Sequence, residues 1–152
     1  TGRYALGEGT MIGPFRGRWS KLGNYSPCLV FMDGHAYNSV EHAYQAAKSV
    51  DDGVRKTIRD QPTPAEAKRV ARRISLRPDW ESVKLGVMLS LLREKFASEP
   101  ERGILLSTGR EELVEVNWWG DTFWGQCPVG NGQNHLGLLL MQVRHEIHLG
   151  DI

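Results

Sequence analysis

The chain has 152 residues, 40% hydrophobic and 24% charged, a size and composition suited to one soluble domain with its own core. Its formal net charge of +1 names no partner. No apolar run approaches the ~18 residues a membrane span needs, and no charged-then-apolar leader opens these residues, so a cytoplasmic placement is expected. Cys28 and Cys127 have neither CxxC spacing nor a His cluster beside them. They are expected as reduced thiols, with no metal site.

In chain order, "CLVFMDGHAY" predicts a hairpin, because Asp33-Gly34 is a pair favoured in tight primed turns. A helix is expected from about Ser39 to Val50, with Asn38 as its cap and Glu41 closing a capping box. "TPAEAKRVARRI" starts another, with Thr63 as cap, Pro64 at the first helical position and Glu66 at the third. "PDWESVKLGVMLSLLREKF" is the longest periodic segment, with Val83, Val87, Leu91 and Leu92 on one side and Gly86 read as a site of close helix crossing. Pro100 marks a short helix, and "ELVEV" fits either a short strand or a helical end. A last helix begins near Asn134, with Leu136, Leu139, Leu140 and Val143 as its stripe. The expected fold class is mainly α (α+β), with a small antiparallel β element near the start and no βαβ rhythm.

Chemistry concentrates in two stretches. In "HAYNSVEHAYQAAKS", Glu41, Gln45 and Lys48 fall on one helical line, opposite Val40, Ala43, Ala47 and Val50. The wheel assigns that line to water or to a cleft without separating the two. In "NWWGDTFWGQCPVGNGQNHLG", Trp118, Trp119 and Trp124 are interleaved with glycines, and the helix start at Asn134 offers N–H groups suited to phosphate. A carboxylate, flat rings, amides and a phosphate-friendly helix start suit a ribosyl substrate, whose ring becomes cationic as a ribose–nitrogen bond breaks. Residues 55–77 carry eight Lys or Arg against Asp60 and Glu66, a run read either as a solvated face or as a phosphate contact through Arg69 and Arg73. His145 and His148 have metal-ligand spacing without a supporting carboxylate pattern. His42 and His135 are read as local hydrogen-bonding residues.

These blocks resemble the NADAR family of YbiA-like proteins. "GNYSPC", "GHAYNSVEHAYQAAKS", "DWESVKLGVM", "LREKF", "LLSTG", "LVEV", "DTFWG" and "GQNHLGLLLMQVR" follow its order from about Phe15 to Arg144. The resemblance implies one NADAR-type domain over residues 1–152, compact and mostly helical, with N-glycosidase activity and no cofactor. It implies two substrate classes: ADP-ribose on guanine bases of DNA or RNA, and early phosphorylated intermediates of riboflavin synthesis. A cognate ADP-ribosyltransferase toxin is the partner expected with the first. A non-catalytic ADP-ribose or NAD-binding module is the rival from another class.

Carried over by position, Glu41 is the leading catalytic carboxylate and Lys48 holds a phosphate or ribose oxygen. Asn24, Tyr25, Trp80, Trp124, Gly132 and Asn134 line the substrate site. Gln126 stands where some relatives carry Asp, which makes Asp121 the second acid or a group that orders its loop.

Overall fold

The computed structural model describes residues 3–6 and 9–152. They form two compact units, Thr1–Gly23 with Phe96–Ile152, and Asn24–Lys95.

In the first unit, β1 (Arg3–Leu6) and β2 (Gly9–Ile12) pair antiparallel, and β2 pairs in parallel with a two-residue strand later in the chain, Glu112–Leu113. A 3-10 helix, Gly17–Leu22, follows β2 and buries Trp19 and Leu22. Later come a short helix, Glu101–Ser107, and the terminal helix, His135–Leu149. The terminal helix buries Leu136, Leu140, Val143 and Ile147 at i, i+4, i+7 and i+11, an amphipathic stripe turned to the sheet.

In the second unit, β3 (Val30–Met32) and β4 (His35–Tyr37) make the expected hairpin. Asp33 and Gly34 both take positive φ, 51° and 83°, as a primed turn requires. Three short helices follow: α1 (Val40–Ala46), α2 (Asp52–Arg59) and α3 (Pro64–Ala71). The long α4 (Trp80–Phe96) comes next. In this numbering the Glu101–Ser107 helix is α5, Glu112–Leu113 is β5 and the terminal helix is α6. α1 packs against α2 and α3, its small residues Ala43 and Ala46 and the following Ala47 being fully buried. Thr63 caps α3 through its hydroxyl, which accepts from the Glu66 N–H, and Pro64 opens the helix.

The mainly helical α+β class stands, and the details differ in four places. Ser39, not Asn38, caps α1, accepting from the His42 N–H at 3.0 Å, so Glu41 sits one position before the capping-box glutamate. α1 ends at Ala46, which leaves Val50 off the helix and 67% exposed. Gly86 has open space where a Cβ would be, so it marks no helix crossing. α2 is an additional helix, capped by Asp51 accepting from the Val54 N–H. Both cysteines are free thiols, and among the described residues no helix is long and apolar enough to cross a membrane.

Candidate functional site

The unit Asn24–Lys95 gathers five of the expected site residues around α1. Glu41 lies in the first helical turn and is 7% exposed, so the helical line is neither wet nor an ordinary outer face. Its backbone N–H donates to the Asn24 carbonyl at 3.2 Å. One of the donors every helix start leaves open is thus satisfied by the loop that carries Asn24 and Tyr25, and that bond brings both residues to the glutamate.

Gln45, one turn further on, is 2% exposed. Its Nε2 donates to Glu41 Oε1 at 2.7 Å, a charge-assisted bond that fixes the carboxylate. Its own Oε1 is buried without a hydrogen-bond partner, as is Asn24 Oδ1. Buried acceptors left unmatched are uncommon and costly, by ~1–3 kcal/mol each. Asn24 Nδ2 points to Met88 Sδ at 3.6 Å, which ties the loop to α4. Trp80, the first residue of α4, is buried and meets the Tyr44 ring at 5.1 Å between centroids, so it builds the wall behind the site.

The charges of this unit are unbalanced. Lys48 is half-buried, with its ammonium 5.4 Å from the centre of the Tyr44 ring. Burial holds its pKa below the usual lysine value; the Glu41 charge opposes that, and Lys68, Arg72 and Lys84 reinforce it. The Tyr25 phenol is pushed up by burial and then by Glu41, against Arg72, so it keeps its proton as a donor. Lys84 is paired with Glu81 at 2.7 Å. Lys48 thus feels one carboxylate, Glu41, against the positive charges of Lys68 and Arg72, an excess suited to an anionic ligand.

Arg69, Arg72 and Arg73 of the basic run are exposed and Lys68 is half-buried; the charges of Lys68 and Arg72, one residue earlier in the helical cycle than Arg69 and Arg73, reach Lys48. Ala67 and Ala71 are the buried positions of this segment, and Lys68 and Arg72 follow them directly, which sets the phase. That periodicity was the available signal. Gln45 lay on the same line as Glu41, but only its burial shows that it positions the carboxylate.

The other unit holds Asp121, Trp124, Gly132 and Asn134. Asp121 Oδ1 accepts from the N–H groups of Phe123 and Trp124 at 3.2 and 2.9 Å, so the carboxylate orders the turn. Asn117 clamps the same turn from its start, its amide bonding both the N–H and the carbonyl of Asp121. Trp124 meets Phe123 edge-on at 4.9 Å, and Phe123 lies 4.4 Å from the His135 ring.

The expected phosphate cradle at the start of α6 is already filled. The N–H groups of Gln133, Asn134, His135 and Leu136 donate to the carbonyls of Thr122, Gly125, Phe123 and Trp124. Asn134 is likewise spent on the fold rather than on a substrate. Its side chain is buried, with Oδ1 accepting from the Glu115 N–H and Nδ2 donating to the Leu113 carbonyl, both at 2.9 Å. The glycines serve the same internal closure. A Cβ on Gly132 would stand 2.3 Å from the Gly125 carbonyl oxygen, and one on Gly137 would stand 2.0 Å from that of Leu113. Trp118 and Trp119 remain exposed, Trp118 beneath the Arg16 guanidinium at 4.5 Å.

His42 is bound locally, Nδ1 by the Ser39 hydroxyl at 2.7 Å and Nε2 by the Gln61 carbonyl at 2.8 Å. The second bond requires a proton on Nε2, since a carbonyl only accepts. His135 meets Gln133 Oε1 at 2.8 Å.

Comparison with known proteins agrees with the sequence blocks. The chain is 38% identical over 132 residues to the N-glycosidase YbiA of Escherichia coli, covering 85% of this chain and 82% of that one. It is 37% identical over 129 residues to a riboflavin biosynthesis protein of Vibrio vulnificus, of which the match spans 35%. The NMR structure of Escherichia coli YbiA superposes with a TM-score of 0.81 at 34% identity, covering 93% of this chain and 85% of that one. The NADAR domain matches residues 16–148, and the chain belongs to the NADAR family.

Proposed function

We propose that the chain is an N-glycosidase that hydrolyses a ribose–nitrogen bond in a phosphate-bearing substrate, with ADP-ribose on guanine bases of nucleic acid as that substrate. The observation that carries this reading is the buried Glu41 carboxylate, held by Gln45, with its charge reaching a half-buried Lys48 that also feels Lys68 and Arg72. As the C1–N bond breaks, its electron pair leaves with the nitrogen and the ribose ring becomes cationic. Glu41 stabilises that cation and takes a proton from the water that adds to C1. Lys48, Lys68 and Arg72 hold the phosphate oxygens, and Tyr25 donates to a substrate oxygen. Asp121 is assigned to ordering the turn that presents Trp124 as a stacking surface. The chemistry as written uses only the chain's own groups and water.

The charge excess favours a phosphorylated ligand, and the exposed Arg69 on α3 and Arg73 just past its end suit a strand backbone beyond it. The Vibrio relative's name favours a second reading, a phosphorylated intermediate of riboflavin synthesis. Incubating the protein with an ADP-ribosylated-guanine oligonucleotide and, separately, with the phosphorylated riboflavin intermediates distinguishes the two by chromatography of the released sugar phosphate. Free ADP-ribose supports the first reading, and a ribose phosphate supports the second. ADP-ribose binding without bond cleavage in either substrate would make the chain a binding module. Charge reversal at Arg69 and Arg73 is expected to weaken turnover of the oligonucleotide more than that of a mononucleotide. Equal losses would remove the strand contact.

A further inference from the structure

A cleft of about 440 Å³ opens on the unit Thr1–Gly23 with Phe96–Ile152, lined by Gly109, Arg110, Met141, Arg144, His145 and His148. Four of those six residues are cationic or can become so, and no Asp or Glu is among them. The neutralising partner such a lining calls for is absent from the wall itself.

Arg144 is the fixed part of this cleft. It is 8% exposed, and burial pushes its pKa down, with the Glu111 charge offsetting that in part. Its Nη1 donates to Thr108 Oγ1 at 2.8 Å and to the Glu111 carbonyl at 2.9 Å. The Thr108 hydroxyl in turn donates to the Leu105 carbonyl at 2.6 Å, so the clamp extends into α5. Both acceptors on Nη1 are uncharged. Among the described residues, Nε and Nη2 have no hydrogen-bond acceptor. A guanidinium held by one nitrogen presents its remaining N–H edge in a set orientation, the geometry that matches two oxygens of a phosphate. Arg110, His145 and His148 are exposed and bring further donors to the same opening, while Met141 supplies an apolar wall.

We propose that this cleft is a second anion site, separate from the Glu41 cluster, which binds the phosphate of a nucleotide or of a nucleic-acid strand on Arg144, Arg110 and His148. The volume exceeds what a lone phosphate fills and lies in the range of small-molecule sites, so a sugar attached to the phosphate fits against Met141.

The test follows backbone amide shifts by NMR on the full chain during titration with inorganic pyrophosphate and, separately, with a short single-stranded oligodeoxynucleotide. Sodium chloride of matched ionic strength is the control. Saturable shifts at residues 109–110 and 141–148 are expected, with affinity falling by at least ~10-fold in the Arg110→Glu, His148→Glu double variant. Both residues are exposed, so the variant is expected to keep the parent fold; retained shifts at Glu41 and Lys48 check this. Tighter binding of the oligonucleotide than of pyrophosphate identifies a strand as the source of the phosphate, and equal or weaker binding identifies a free phosphorylated molecule. Shifts reproduced by sodium chloride, undiminished in the double variant, or missing from this cleft would overturn the proposal.

Discussion

Glu41→Gln keeps the volume of the side chain and removes its charge. The amide oxygen left at position 41 still accepts from Gln45 Nε2, so the 2.7 Å contact and the packing of α1 are expected to survive. The lost quantity is Coulombic. A carboxylate about 4 Å from a ribosyl cation, at an effective dielectric near 20, contributes ~4 kcal/mol. That corresponds to roughly 10³-fold in rate. Water reaching a partly open site and the neighbouring cations reduce this, so a fall in turnover of at least ~100-fold is expected. The assay is single-turnover base release, with circular dichroism to confirm the fold. It belongs at mildly acidic pH, because Glu41 supports the protonated form of Lys48 and its loss must not be read through that lysine. Turnover within about 5-fold of the parent, in a folded variant, would refute the role of the carboxylate.

Gln45→Met removes the charge-assisted bond to Glu41, worth ~1.5–3 kcal/mol, and is expected to lower kcat by about 10–100-fold with a smaller change in KM. An unaltered kcat would mean that the carboxylate needs no holding. Lys48 has its pKa lowered, so its ammonium is present at low pH and is lost as pH rises through a value below the ordinary 10.5. The KM for a phosphate-bearing substrate is expected to climb through that window, and Lys48→Arg is expected to abolish the climb; a flat profile in the parent would separate Lys48 from the phosphate. In Asn134→Ala, two bonds to Leu113 and Glu115 vanish, and a left-handed residue at φ 52° loses the side chain suited to it. The expected loss is about 3–5 kcal/mol, a fall in Tm of roughly 10 °C read by calorimetry. A fall under ~3 °C would show that the pin is dispensable.

Local signals carried much of this fold. The Asp33-Gly34 turn, the Thr63-Pro64 helix start and the onset of α6 at Asn134 each depend on residues next to one another, and each stands where those residues put it. The parallel pairing of β2 with β5 joins Met11 to Glu112, and no neighbouring residue announces a partner about a hundred positions away. The same distance hid the meaning of the tryptophan and glycine stretch. Its glycines read as room for a ligand, whereas Gly125, Gly132 and Gly137 make room for main chain. Glu41 was legible as a candidate, but a helical wheel has no measure of depth. Its burial follows from what α2, α3 and the Asn24 loop place around α1.

Four carbonyls from Thr122 to Gly125 lock onto four consecutive amides at the head of α6, and Asn117 and Asp121 brace the turn behind them. A base so tightly stitched separates two kinds of change. Substitutions at its seams would unpick the helix head, while the outward indoles of Trp118 and Trp119 and the tip at Val129 can be exchanged with the foundation intact. Descendants of this chain thus have a place to alter what they meet at the surface without reopening the question of how they fold.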